Sequence, residues 1–489
     1  MIAWRTDTVT ASALAVDLER LGGRLMMLFA INDAVPPAPP APRRELSALV
    51  RTADGLTRLR APMQGRVYPA VTPRVAAAHW FEREIHDLFG IVPEGHPRLE
   101  PLVRHAPEEA EVNLPGEQDV RLEHRGAERL AGPGVFVIPY GPVRSGVFET
   151  AQFLIQTGGE DVAYCAQRLF FKRRGAERRI CEVPLEQAVL VAERVSGTSS
   201  VAHALAFSHA VESLAGTEVP PRGAAIRRIL AELERLYNHL EATVRECEDA
   251  SLSVGQAQFA ALKERLHRLA GAVVGNRYLR GAVVPGGTRI DFDAGAVDLI
   301  GSTVADWARD FDRVLEILLR TDSFLDRLVS TGPLSERDAR EFACVGPVAR
   351  GSGVDVDTRR DLPYDGYPAF EIARHSDGDA MARMEVRFRE VGTSLELIRE
   401  ALVSLQPGPT RTDLGPLAQD SALGAAESAR GETLYWLEPA DAHTLRFCKL
   451  RAASFVNFGV FNRVFDSQVL TDFSFIEHSL GLSPAGCDA

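Results

Sequence analysis

Six cysteines stand at positions 165, 181, 247, 344, 448 and 487, and no two of them are two residues apart. Zinc ribbons, iron–sulfur ligand runs and thioredoxin-type redox pairs all need that close spacing, so the chain encodes none of them. The pattern reads as reduced, buried thiols of a cytosolic chain rather than a disulfide framework. A different stretch is shaped for contact. ERVSGTSSVAH, residues 193–203, sets Ser196, Gly197, Thr198, Ser199 and Ser200 in a hydroxyl-rich turn between the helix-like segments EQAVLVAERV and AHALAFSHAVESL. Small residues between apolar helices imply that something approaches the backbone there. Hydroxyls are neutral donors and acceptors with very high pKa values, suited to hydrogen bonding rather than to soft metal ligation.

Other chemistry-bearing residues have plainer readings. Glu82, Glu84 and Asp87 in HWFEREIHDLFG fit structural pairs and contacts between subunits better than acid–base catalysis. His96-Pro97 reads as a turn. Gly286-Gly287 after Pro285 marks a tight backbone turn, since no strand–loop–helix of phosphate-binding spacing surrounds it, and direct NAD binding has no support. The basic run FFKRRGAERR, with Lys172 to Arg179, is either a solvated face or a docking surface for an anionic partner.

These residues need elements to position them, and 489 residues allow two or more folding units. A net charge of -12 argues against nucleic-acid binding. No apolar run reaches the roughly 18 residues of a membrane span, and MIAWRTDTVTASALAVDLERL does not read as a secretory signal. The first hundred residues alternate: ASALAVDLERLGG predicts a helix, RLMMLFAIND a strand, VPPAPPAPRR an extended connector, and ELSALVRT–ADG–LTRLRAPM a β-hairpin. VAAAHWFEREIHDLFG predicts a helix stopped at Gly90. This is an α+β unit with an antiparallel sheet, over 1–105. Residues 106–134 have linker composition. From about residue 150 the chain reads as strongly helical, with Ile226, Ile229, Leu233, Leu236, Tyr237 and Leu240 on one helix face, until GETLYWLE and TLRFCKLRAA return to strand patterns.

Read in order, four stretches resemble a known family. HWFEREIHDLFGIVPEGHPRLEPLVRH resembles the signature of the 30-kDa subunit of respiratory complex I. VPPRGAAIRRILAELERLYNHL, NRYLRGAVVPGG and GPVARGSGVDVDTRRDLPYDGY resemble segments of its 49-kDa partner, and ESARGETLYWLE with LRFCKLRAASFVNFGVF resembles the C-terminal part of that partner. Group 4, energy-converting nickel–iron hydrogenases of the formate-hydrogenlyase type share these segments and fuse the two parts. The resemblance implies a small N-terminal α/β sandwich domain with an antiparallel sheet. It implies, over 135–489, a mainly helical hydrogenase-large-subunit-like domain with small β elements.

The family holds nickel and iron with two C-x-x-C pairs. Here Ser196 and Ser199 stand at the first pair, and Ser483 and Gly486 align with the second, with Cys487 one residue off. One thiolate cannot hold the cluster, so the resemblance implies a lost nickel–iron site and no metal bound by this chain. The family's quinone-binding Tyr matches Gly197, and its His matches the region of Gly141 and Ser145, with Tyr140 alongside. His203 and Arg430 match a family histidine and the arginine that stands over the metal. Both fit either a retained pocket or plain core roles, with Glu193, Glu149 or Glu427 as partners for the guanidinium. Together Ser196, Gly197, Ser199, His203, Arg430, Ser483 and Gly486 outline a vestigial metal/quinone cavity.

By resemblance, the expected role is a fused subunit of a membrane-associated complex I-like oxidoreductase coupling electron transfer to ion translocation. Its expected partners are a small iron–sulfur subunit that carries the nearest cluster and membrane antiporter-like subunits, on the cytoplasmic side of the inner membrane. The alternatives are a non-catalytic scaffold and a quinone-reducing subunit with His203 as proton donor. An open cavity favours catalysis, and a filled one favours the scaffold.

Overall fold

A computed structural model describes residues 2–32, 43–103, 134–144 and 149–489. Most of the proline-rich connector, all of 106–133 and Ser145 lie outside the described residues. Near the N-terminus, β1 (Trp4–Thr8), β2 (Arg24–Asn32), β3 (Arg44–Thr52) and β4 (Gly55–Pro62) form a sheet in the order β1-β4-β3-β2. The expected hairpin is present: β3 and β4 pair antiparallel down to Thr52 opposite Gly55, across a two-residue turn. The sheet is antiparallel except at one edge, where β1 runs parallel to β4. This strand, WRTDT, was not anticipated because its polar, mostly exposed residues carry no strand signal.

Two helices cover one face, α1 (Leu14–Leu21) and α2 (His79–Phe89), the latter stopped by Gly90 in the left-handed region at φ 61°. Short strands β5 (Val67–Pro69) and β6 (Val92–Glu94) pair in parallel beside α2. The three carboxylates of α2 are structural. Glu82 accepts from the Val71 and Thr72 amides at 2.7 and 2.8 Å, and Asp87 from those of Leu102 and Val103. Glu84 accepts from Lys449 Nζ at 2.7 Å, a contact with the C-terminal part of the chain.

The chain does not turn helical at residue 150. Strands β7 (Phe136–Tyr140), β8 (Gln152–Thr157) and β9 (Val162–Arg168) make an antiparallel sheet first, because short apolar runs such as FLI fit strand and helix equally by pattern. The helices follow: α3 (Ala176–Glu182), α4 (Leu185–Ala192), α5 (Ser200–Ala215), α6 (Pro221–Asp249), α7 (Ser253–Val274) and α8 (Ala294–Leu318), with Ala380–Val403 packed along α6. All six predicted apolar residues of α6 are buried. Between α7 and α8, β10 (Val283–Val284) and β11 (Gly287–Thr288) turn back at Gly286, where a Cβ would stand 2.1 Å from the Thr412 carbonyl.

The last sheet, β12 (Ala422–Ser428), β13 (Gly431–Pro439) and β14 (Leu445–Arg451), sits against α5. Gly424 permits that approach, since its Cβ would fall 1.9 Å from the Ala206 carbonyl. The other side of this sheet receives β2. Met26, Met27, Phe29 and Ile31 pack with Leu423, Leu434 and Trp436. That leaves β2 buried on both faces, which explains its unbroken apolar run. Each such fully buried side chain contributes roughly 1.5–3 kcal/mol.

Candidate functional site

Three chain segments meet at the hydroxyl-rich turn. The first is the turn itself, between α4 and α5. Ser199 stands at the N-cap of α5 without capping it. Glu234 of α6 does so instead, accepting from the Val201 and Ala202 amides at 2.7 and 3.0 Å. This frees the Ser199 hydroxyl to face inward. The second segment is the β12–β13 turn, Ser428 to Gly431, which places Arg430; Ser428 Oγ accepts from the Arg430 amide. Gly346 makes room for it, at φ 66° and with a Cβ that would lie 2.1 Å from the Arg430 carbonyl. The third is Ser483, which caps the short helix Pro484–Cys487 by accepting from the Gly486 amide at 3.1 Å.

Ser196 Oγ and Ser483 Oγ lie 3.3 Å apart. Ser483 Oγ donates to Glu149 Oε2 at 2.8 Å, and the same oxygen accepts from the Ala485 amide at 2.8 Å. The Ser483 amide donates to Ser454 Oγ at 2.9 Å. Arg430 reaches across: Nη1 donates to Thr198 Oγ1 at 2.8 Å, Ser199 Oγ at 3.2 Å and Asn238 Oδ1 at 3.0 Å, and Nε to the Gly481 carbonyl at 2.7 Å. Among the described residues none of its partners is a carboxylate. The expected partners are engaged elsewhere: Glu149 with Ser483, Glu427 with Arg350 at 2.9 Å, and Glu193 with the Gly281 amide at 2.7 Å. Four neutral acceptors from the turn, α6 and residue 481 serve the guanidinium instead.

His203 is buried, its Nδ1 3.0 Å from the Tyr435 hydroxyl. Burial, reinforced by the nearby Arg174 and Arg430 charges, lowers its pKa to about 3. The imidazole is therefore neutral at physiological pH, in a packed environment, and poorly suited to deliver a proton as a charged acid.

Ser196, Ser199, His203, Arg430, Ser483 and Gly486 line one void. Gly197 does not line it, and a Cβ there would stand 3.6 Å from Arg280 Nη2. Sequence reasoning missed Thr198 and Asn238 as ligands of Arg430, and Ser454 and Glu149 as partners of Ser483. The void itself is about 10 Å³, the room of a single water molecule. Side chains fill the rest.

The donor set does not suit a nickel–iron centre, which calls for soft thiolates. The void is lined instead by the hydroxyls of Ser196, Ser199 and Ser483. Cys487 is buried with its Sγ 3.6 Å from the Ser483 carbonyl, and burial pushes its thiol well up, toward the protonated form. Among the described residues no three His, Cys, Asp or Glu side chains converge in a metal-holding group. Tyr140 is exposed on β7 and packs edge-on against Phe473 at 5.6 Å. The basic run divides. Arg174 donates to the carbonyls of Arg194, Val195 and Ala485, tying it to the site's rim, whereas Arg178 and Arg179 are exposed and pair with Glu182.

Comparison with known proteins agrees with this architecture. The family described as "Respiratory-chain NADH dehydrogenase, 30 Kd subunit" matches residues 8–125, and "Respiratory-chain NADH dehydrogenase, 49 Kd subunit" matches 255–417. Formate hydrogenlyase subunit 5 of Escherichia coli (strain K12) is 31% identical over 429 residues, covering 84% of this chain and 75% of that protein. Hydrogenase-4 component G of the same organism is 29% identical over 430 residues, 85% and 74% of the two chains. A carbon monoxide-induced hydrogenase of Rhodospirillum rubrum is 28% identical over 355 residues, 71% and 97% of the two.

Proposed function

The chain belongs to the family of fused 30-kDa/49-kDa-type respiratory-chain and hydrogenase subunits, and on that premise we propose that it is a peripheral subunit of a membrane-associated, complex I-like assembly whose nickel–iron position is taken by a hydroxyl cluster. One observation carries this reading. Ser196, Ser199 and Ser483 meet around a void of about 10 Å³, bonded to one another, to Arg430 or to Glu149, and it is these serines that the resemblance sets against the family's thiolates.

On this reading the chain binds no metal of its own and acts as a scaffold and coupling element. It packs against a small iron–sulfur subunit and antiporter-like membrane subunits on the cytoplasmic side of the membrane. No helix among the described residues is long and apolar enough to cross a membrane, so attachment would come through those partners. The quinone-reducing alternative is weaker, because a headgroup needs far more room than one water molecule.

Nickel content tests the proposal. The complex, purified from its native host through a tag on this chain, should carry nickel at background level with iron from a co-purifying iron–sulfur subunit. Nickel approaching one atom per chain would overturn it.

A further inference from the structure

The seam between α6 and Ala380–Val403 is buried yet polar. From α6 come Glu232, Arg235, His239 and Glu246, and from the facing helix Arg383, Arg387, Glu390 and Ser394. At one end the carboxylates are paired. Ser394 Oγ donates to Glu232 at 2.6 Å, His239 Nε2 lies 2.8 Å from Glu390, and Arg350 bridges Glu390 and Glu427. The other end differs. Glu246 is fully buried, and neither of its carboxylate oxygens has a hydrogen-bond partner among the described residues.

Two guanidiniums lie within electrostatic reach of Glu246, and neither forms an ion pair among the described residues. Arg383 donates to the Gly332 and Gly378 carbonyls at 2.9 and 2.6 Å and to Ser479 Oγ at 2.8 Å. Arg387 donates to the carbonyls of Arg383 at 3.0 Å and Leu480 at 3.3 Å. The other charged groups around the site are Asp249 on α6, 2.5 Å from His478 Nδ1 of the helix Phe473–Leu480, and Asp379, which caps Ala380–Val403. Glu477 is turned to Arg144. Burial, with Asp249 adding to it, pushes the Glu246 carboxyl well up, while Arg387 and Arg383 pull the other way. A carboxylate without water or donors is tolerated inside a protein only as the neutral acid.

We propose that Glu246 is a proton-binding site built into this seam: it holds its proton while unpaired, and on releasing it to water past the part-buried Asp249–His478 pair it turns onto Arg387 as an ion pair. Arg387 connects that event to the hydroxyl cluster. Its Nη2 donates to the Leu480 carbonyl and lies 2.7 Å from where a Cβ on Gly481 would stand, while the Gly481 carbonyl accepts from Arg430 Nε. Drawing Arg387 toward Glu246 loosens the turn that Arg430 grips. The proposal does not depend on whether the thiolate positions hold a metal.

Infrared difference spectroscopy on the full chain tests it. Subtracting the Glu246→Gln spectrum from the wild-type spectrum at neutral pH should leave the carbonyl band of a protonated carboxyl, with circular dichroism unchanged. Raising the pH should remove the band and, relative to Glu246→Gln at the same pH, speed amide exchange at 480–483. In Arg387→Met the band should persist to higher pH, since the ion-pair partner is gone. A difference spectrum without the band overturns the proton site, and this holds for the Arg387→Met background if Glu246→Gln alone does not fold. Loss of the band with unchanged exchange at 480–483 overturns the link to the turn.

Discussion

Ser196 and Ser483 bring their hydroxyl oxygens to 3.3 Å although 287 positions separate them. The first belongs to the turn before α5 and the second caps the last short helix, so the pair fastens the two ends of the helical part to each other. Each hydroxyl has one proton and two lone pairs. Ser483 uses both kinds of capacity, donating to Glu149 and accepting from the Gly486 amide. A hydrogen-bonded pair of this kind closes the site from within.

Ser483→Ala removes the cap and leaves Glu149 Oε2 with the Ala485 amide as its remaining bond here. A lost N-cap and a part-buried acceptor short of a donor together cost about 1–3 kcal/mol. Urea unfolding of the variant and the wild type measures the difference. A change below about 0.5 kcal/mol would show that the hydroxyl contributes nothing to the closure.

Glu234 sits where a carboxylate is both favoured and penalised. It receives two amides from the first turn of α5, yet burial outweighs them and raises its pKa from 4.5 to about 7. The folded chain therefore keeps a proton that the unfolded chain releases, so stability falls as pH rises from about 4.5 to about 7. At about 1.4 kcal/mol per unit the loss is roughly 3 kcal/mol across that window. Glu234→Gln is neutral throughout and lacks the slope. Its melting temperature should gain on that of the wild type between about pH 5 and about pH 8, and a constant gap would mean that Glu234 titrates as in free solution.

Local signals in the sequence were dependable where one residue sets the backbone. Gly90 ends α2, two residues turn the β3–β4 hairpin, and the apolar face of α6 is the face that packs. The turn before α5 was legible as small residues set between two apolar runs. What was not legible depends on the third dimension. Asn238 and Thr198 reach Arg430 only because α6 crosses beneath the turn, and an arginine's choice of neutral acceptors over Glu193, Glu149 or Glu427 leaves no pattern in the chain. The strands β8 and β9 escaped notice because their apolar runs are too short to show a period.

Glu432 joins the two ends of the chain electrostatically. Arg24 on β2 grips its carboxylate with two parallel bonds of 2.8 Å, and Arg451 on β14 pairs with it from the other side. Burial alone would raise the Glu432 pKa, but Arg24 and Arg451 outweigh it and hold it down to about 2. A depressed carboxyl contributes stability above its ordinary value of 4.5 and loses it as pH falls toward about 2. Glu432→Gln takes from the buried Arg451 and the part-buried Arg24 the carboxylate that both pair with, a loss of about 3–5 kcal/mol at neutral pH. Because β2 also packs Met27 and Phe29 against Trp436 and its neighbours, the weakened tie should first release the N-terminal sheet. Denaturant unfolding should show the variant's deficit at neutral pH and a much smaller one below about pH 2, where the wild-type carboxyl is largely protonated too. Limited proteolysis should cut the variant sooner between the N-terminal sheet and β7. A variant as stable as the wild type at neutral pH would mean that Arg24 and Arg451 find other acceptors, and that packing alone holds the two parts together.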